Sequence, residues 1–415
     1  MNKNVFLPAN ILLPNVEDMT KWSVVACDQF TSQPEYWKRV EKNVGEGLSA
    51  YHLILPECEL GTQREEARTE QIHKTMTEYL EKGIFTEYDN AYIYIERTMQ
   101  DGSIRRGLLG MVDLEAYDYT PGTDAPIRAT EKTVPERIPP RMKVRQSAAV
   151  ELPHVLLLCD DKEDILLRPI SEKKDILKVV YDFDLMEDGG HITGWLVTGE
   201  EVAAFGERQK WFVESLPEKY KDFEQTPMTF AVGDGNHSLA TAKACYEALK
   251  KNNPAEDLSA HPARYALVEL ENIYDDSQVF EPIHRIVADT DTKKLLEALR
   301  GACEGEEGFA VEWVIGEERG AIILDSNKGE LAVGILQKFL DEYLETNQGK
   351  IDYIHGEDDL RQLANKPNTI GFLLPAMEKH QLFRGVLSDG VLPRKTFSMG
   401  HAVEKRYYLE ARKIK

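Results

Sequence analysis

Apolar residues recur at helical spacing, among strong helix formers, over 65–83, 200–216, 239–251, 293–304, 331–345 and 403–412, which predicts six helices. Short runs rich in β-branched and aromatic residues predict strands at 91–99, 107–116, 154–159, 177–183, 191–198, 228–233, 263–273, 309–315, 320–325 and 369–374. The first two strands are joined by Gln100-Asp101-Gly102, an Asp-Gly turn that signals a hairpin. Strands tend to follow strands, and helices come singly or in pairs. Strict β-α-β-α alternation is missing. The expected fold class is therefore α+β, with mixed sheets, packed helices and two to three subdomains, rather than a doubly wound sheet. Three regions are expected: an α+β region over 1–145 carrying the hairpin 91–116, a central region over 146–290, and an α+β region over 291–415 with a basic tail. The Pro-rich stretch 134–140 and the acidic, Gly-rich stretch 304–308 are the candidate boundaries.

One junction in this pattern is dense in chemistry. The apolar strand Met228–Val232 runs into Gly233-Asp234-Gly235-Asn236-His237-Ser238, and a helix-forming run begins at Leu239. Two glycines permit positive φ and close backbone approach to a ligand. Asn236 or Ser238 can cap the helix. A helix start offers backbone N–H groups and the positive end of the macrodipole, which suits a phosphate or carboxylate. Asp234 is a candidate proton acceptor and a candidate Mg²⁺ ligand. His237 is a candidate phosphate donor or acid/base near neutral pH. A capped strand–helix turn with a satisfied histidine is the plain alternative. It does not require Asp, Asn and His together. The Gly-Lys-Ser/Thr ending of a Walker A loop is absent, and G-x-G-x-x-G is not completed.

Charge narrows the partners. The 415 residues carry 72 acidic and 50 basic side chains, a net charge of −22. So acidic a surface repels phosphate backbones and anionic lipid, so neither nucleic acid nor membrane is expected as a partner. The N-terminal apolar run is broken by Pro8 and Pro14 and lacks the core of a signal peptide, and a cytoplasmic location is expected. Five separated cysteines contain no C-x-x-C pair, so neither a disulfide framework nor a zinc ribbon is expected. Most are read as core residues; Cys27, next to Asp28 in a polar turn, is the exception. The ten histidines show no H-E-x-x-H, and no G-x-S-x-G elbow occurs. Zinc, haem and flavin are not expected.

Two basic islands stand in this acidic chain. Residues 128–145 hold six basic against two acidic side chains, and 391–415 hold seven against two. Solvated faces or internal ion pairs are one reading, and an anion pocket is the other. Arg141 and Lys395 are the candidate contacts within them, and His284-Arg285 after Pro282 adds a third. Asp28 is a candidate base, with a turn or capping role as its alternative. His191 and Trp195 are candidates to wall a pocket, with a packed face as theirs.

The stretches Glu131-Lys-Thr133 leading to Arg141, the strand 154–159, His191 to Trp195, Gly233 to Ala242, Pro282-Ile-His284-Arg285, Lys395-Thr-Phe-Ser-Met-Gly and Lys405-Arg-Tyr-Tyr-Leu-Glu together resemble the prokaryotic domain of unknown function family 1015, over nearly the whole length. The central motif of that family reads Asp-Gly-His-His-Arg after an apolar strand. It is similar to a Gly-His-His-Arg box of the ParB-like fold, which includes partition nucleotidases and an ADP-dependent free-serine kinase. The resemblance implies a ParB-like element around 228–250 and nucleotide phosphates at the helix start. Here the first His is Asn236 and the Arg is Ser238, so the box lacks its phosphate-clamping Arg. Thr130 and Pro140 replace a His and an Asp elsewhere in the pattern.

The function expected from residues and resemblance is a small-molecule phosphotransferase or phosphohydrolase that binds a nucleotide or phosphorylated metabolite at the turn 233–238, with serine or phosphoserine in view and ADP or ATP with Mg²⁺ as the candidate cofactor. The expected catalytic residues are Asp234, His237 and Asp28. The expected ligand-binding residues are Gly233, Gly235, Asn236, Ser238, Arg141, His284, Arg285 and Lys395. A non-enzymatic nucleotide or metabolite sensor is the alternative. The oligomeric state stays open, with a homodimer as one candidate.

Overall fold

A computed structural model describes residues 4–415. The chain divides into two compact units. One takes the chain through Ala129, then Thr133–Gln278 and His401–Lys415; the other takes Thr130–Lys132 and Val279–Gly400. This division does not follow three consecutive regions: 145/146 falls inside the helix Ile138–Ser147, and 290/291 falls inside the second unit.

The first unit is built on an 11-stranded sheet. Its order is Lys178–Asp184, His191–Val197, Phe85–Thr98, Ile104–Asp113, Tyr265–Asn272, Leu156–Cys159, Phe230–Asp234, Ile127–Ala129 and Tyr117–Asp118; Phe6–Leu7 adds to Ile104–Asp113, and Ala9–Pro14 to Phe85–Thr98. The sheet is mixed: Leu156–Cys159 runs parallel to Tyr265–Asn272 but antiparallel to Phe230–Asp234. The predicted hairpin forms, with Thr98 opposite Ile104 and Gly102 at φ +83 closing the turn, a conformation open to glycine. The helix Glu200–Lys219 covers one face. Its Phe205 meets Phe6 and Tyr92 in a fully buried aromatic group.

The second unit holds a 6-stranded, all-antiparallel sheet: Glu318–Asp325, Gly308–Ile315, Ile370–Leu373, Phe280–Ala288 and Lys350–His355, with Phe397–Met399 on Phe280–Ala288. Helices Thr292–Cys303, Ala332–Thr346, Glu357–Ala364 and Gln381–Asp389 belong to it. Among the described residues no helix is long and apolar enough to cross a membrane.

Mixed sheets with packed helices are the α+β architecture expected. Every predicted strand is present within a few residues. The segment 403–412 is not a helix. It forms a short 3-10 turn, Ala402–Glu404, and two strands, Tyr407–Tyr408 and Arg412–Lys413. Helix propensity there yields to pairing with Val24–Val25 and Val150–Glu151, which buries residues 406–412. The Pro-rich stretch 134–140 is a helix start, where Pro139 and Pro140 sit in the first turn and sacrifice no hydrogen bond.

Candidate functional site

Phe230, Ala231 and Val232 are fully buried on the strand third from one end of the large sheet. The chain then leaves the sheet between close neighbours. A Cβ on Gly233 would lie 2.7 Å from the Leu158 side chain. Gly235 adopts φ +78 and ψ 26 and is the N-cap of the helix Asn236–Asn252. The N–H groups of Ser238 and Leu239 both donate to its carbonyl, at 2.9 and 3.0 Å. Gly235 therefore makes the cap, and neither Asn236 nor Ser238 does. The helix buries Leu239, Ala240, Thr241, Ala242 and Tyr246, and it packs on the helix Ile138–Ser147.

Each side chain of the turn has a distinct fate. Asp234 accepts the Gly235 N–H at 2.9 Å and pairs with Lys405 Nζ at 3.2 Å. His237 Nε2 accepts the Val134 N–H at 3.2 Å. Burial, then the positive charges of Arg137 and Arg141, hold its imidazole down to about 4. This corrects the expectation of a titratable group near neutral pH: His237 is uncharged there. Asp28 acts on His237 in the opposite sense, so it lies in the same neighbourhood. Its carboxylate accepts the Gln29 amide at 3.1 Å. Arg141 pairs with Glu57 and donates to the Arg137 carbonyl at 2.7 Å. Arg137 was not singled out in the sequence; only its place in the basic island pointed to it.

Ser238 turns the other way. Its Oγ lies 2.8 Å from His154 Nε2, His154 Nδ1 lies 2.7 Å from Tyr408 Oη, and Tyr408 donates to Cys27 Sγ at 3.1 Å. His154 and Tyr408 are buried, and burial pushes the Cys27 thiol up to about 12, so Cys27 is a neutral thiol. These residues help line a cavity of about 160 Å³ whose other walls include Leu53, Ile54, Met76, Val144 and Leu267. Sequence reading missed His154 and Tyr408.

His284, Arg285 and Lys395 belong to the second unit. There Arg285 is fully buried on the strand Phe280–Ala288. Its guanidinium donates to Gln337 Oε1 and to the carbonyls of Ile283, Lys395 and Arg394, and it stacks on Tyr353. Those donors are committed to the fold, which corrects the expectation of an anion clamp. His284 Nδ1 accepts the Leu374 N–H, and burial lowers its affinity for a proton, so it is a neutral core histidine. Lys395 supplies its backbone carbonyl to Arg285. Part of the basic islands is likewise spent on ion pairs: Arg145 and Arg412 bracket buried Glu151, Arg406 holds Glu269 and Glu410, and Lys413 holds Glu87 at the surface. His191 bridges Asp182 and Asp184 at 2.7 Å each on the sheet's edge hairpin, away from the cavity lining.

The family described as "Protein of unknown function (DUF1015)" matches residues 7–396. The chain belongs to this family. Solved structures similar to this DUF1015 chain include a conserved hypothetical protein from Pyrococcus furiosus, at 13% identity and TM-score 0.32, covering 72% of this chain and 90% of that one. A mutant free serine kinase in complex with ADP matches at 13% identity and TM-score 0.36, covering 77% and 95%. A C-terminally truncated SbnI from Staphylococcus aureus matches at 10% identity and TM-score 0.35, covering 70% and 83%. No curated protein matches the chain significantly. Within the matched residues, Ser238 is directed at the buried His154.

Proposed function

We propose that the turn Gly233–Ser238 binds the phosphoryl group of a nucleotide or small phosphorylated metabolite, and that the protein is a phosphotransferase or phosphohydrolase. The observation that carries this reading is the cationic field at the helix start. Arg137 and Arg141 act on the side chain at the second helical position strongly enough to help keep it unprotonated. The same field, added to the positive end of the helix dipole, attracts a phosphate. Phosphoryl transfer needs positioning and charge neutralisation above all. His237, neutral at pH 7, serves as a hydrogen-bonding group on the ligand. Lys405, now on Asp234, is a further cation within reach of the turn.

Asp234 is the carboxylate on which Mg²⁺ accompanying a nucleotide would be held; the metal would neutralise phosphate charge and would replace Lys405 as the partner. One carboxylate plus substrate oxygens is a normal Mg²⁺ ligand set. Among the described residues there is no cluster of three or more His, Cys, Asp or Glu to hold a metal without substrate. Serine with ADP or ATP, and phosphoserine alone, are the first substrates to try. Turnover of either by the wild-type chain, with loss in His237→Ala and Asp234→Asn, is the expected result. No turnover of any such substrate together with no nucleotide binding would sink the reading.

A second reading has its own observation. Asp234 is already neutralised by Lys405, and His237 titrates far below pH 7. His237 is not poised as an acid or base at neutral pH, and Asp234 is engaged by Lys405, which favours a sensor that binds the ligand without converting it. Saturable binding with no product is its signature.

A further inference from the structure

We infer that Ser238, His154 and Tyr408 form a nucleophile–base–orienter chain that acts on small apolar carboxylic esters bound in the adjoining cavity. Tyr408 Oη has one hydrogen, and it is given to Cys27 Sγ at 3.1 Å. Oη must then accept at its 2.7 Å contact with His154, so Nδ1 carries the imidazole proton. In a neutral ring this leaves Nε2 as the acceptor, 2.8 Å from Ser238 Oγ, which therefore donates. Oη also accepts the Cys27 N–H at 3.3 Å, so its hydrogen-bonding capacity is filled and the ring of His154 is held in one tautomer. A nucleophile within hydrogen-bond reach of a base, itself oriented by a third group, is the geometry of covalent acyl transfer.

The cavity gives the substrate class. Its walls are mostly aliphatic, with the ion pairs Arg141–Glu57 and Arg145–Glu151 as the charged part of the lining, and its volume of about 160 Å³ is close to that of a cavity that admits benzene. An acyl or aryl group of about that size fits. Ser238 Oγ attacks the ester carbonyl carbon as its proton passes to His154 Nε2. The bond from Oγ to carbon forms and the bond to the alcohol oxygen breaks, with that oxygen taking the proton from Nε2. Water then reverses the sequence, releasing the acid and restoring the serine. Ser238 and His154 are the catalytic pair. Tyr408 is a positioning residue, since it acts through His154. This site adjoins the anion site, since Ser238 closes the turn Gly233–Ser238 and Arg141 lines the cavity; an adduct on Ser238 and ester hydrolysis are read separately from nucleotide binding.

The full-length wild-type chain, treated with phenylmethylsulfonyl fluoride, should gain one phenylmethylsulfonyl group as fluoride leaves. Peptide mapping should place it on Ser238, and hydrolysis of 4-nitrophenyl butyrate should be lost with labelling. Labelling should slow by about 100-fold in His154→Gln, the size of a general-base contribution. In ¹⁵N spectra of the wild type, His154 should show the Nδ1–H tautomer, and Tyr408→Phe should release it to a mixture. A folded wild type that hydrolyses no ester, takes no adduct on Ser238, or hydrolyses unchanged when fully labelled would overturn the proposal. So would equal labelling in a folded His154→Gln variant, or an Nε2–H tautomer in the wild type.

Discussion

His237 shows at the scale of a residue how environment decides chemistry. By type it is the side chain that titrates near pH 7. Here burial and two arginines bring it to about 4, from an ordinary 6.5. Between those values the unfolded chain binds the extra proton and the folded chain does not. The stabilisation is therefore complete above pH 6.5 and is lost as the pH falls toward 4. Replacing the imidazole in His237→Gln should flatten the acid side of a stability-against-pH curve measured by urea unfolding. In Arg137→Gln the histidine should titrate at higher pH by NMR; an unmoved titration would remove Arg137 from the field. The sequence made the turn visible because Asp, Asn and His crowd a strand–helix junction. It could not make His154 and Tyr408 visible. They stand 84 positions before Ser238 and 254 positions after His154, and only the folded chain brings them together. Arg285 misled for a related reason: an arginine in a sequence looks solvated, and its carbonyl partners in the chain at 283, 394 and 395 are set by the fold.

At the next scale up, most of the elements that periodicity predicts are present, because half-buried strands and amphipathic helices carry their own signatures. The tail 403–412 did not obey, since its neighbours in space outweigh its propensity. Phe280–Ala288 escaped notice as a strand, masked by Pro282, His284 and Arg285, although it is a central strand of the second sheet. The turn itself depends on Gly235. A side chain there would have to hold φ +78, and its Cβ would sit 3.0 Å from Val155 Cα. Gly235→Ala should lower stability by about 1–2 kcal/mol from the backbone conformation alone. Denaturant unfolding with an unchanged slope would measure it. A loss near zero would mean that the turn relaxes without cost.

The molecule as a whole is acidic, yet several of its arginines, Arg97, Arg105, Arg128, Arg285, Arg406 and Arg412, are buried. Arg406 lies between Glu269 and Glu410, at 2.7 and 2.8 Å, with all three buried. Removing one partner of such a set leaves charge stranded in a low dielectric. Arg406→Met should cost about 3–5 kcal/mol, read by urea unfolding. A cost below about 1 kcal/mol would show that the network is dispensable. Against that background the cations near the turn matter most, because their charge acts on His237 at a helix start. Isothermal calorimetry on the full-length chain, with ADP and then phosphoserine as titrants, tests this most directly. The account predicts saturable binding of at least one of them in the wild type, weakened about tenfold or more in Arg137→Gln, for a loss of about 1.4 kcal/mol. No binding of either, or binding that Arg137→Gln leaves unchanged, would contradict it.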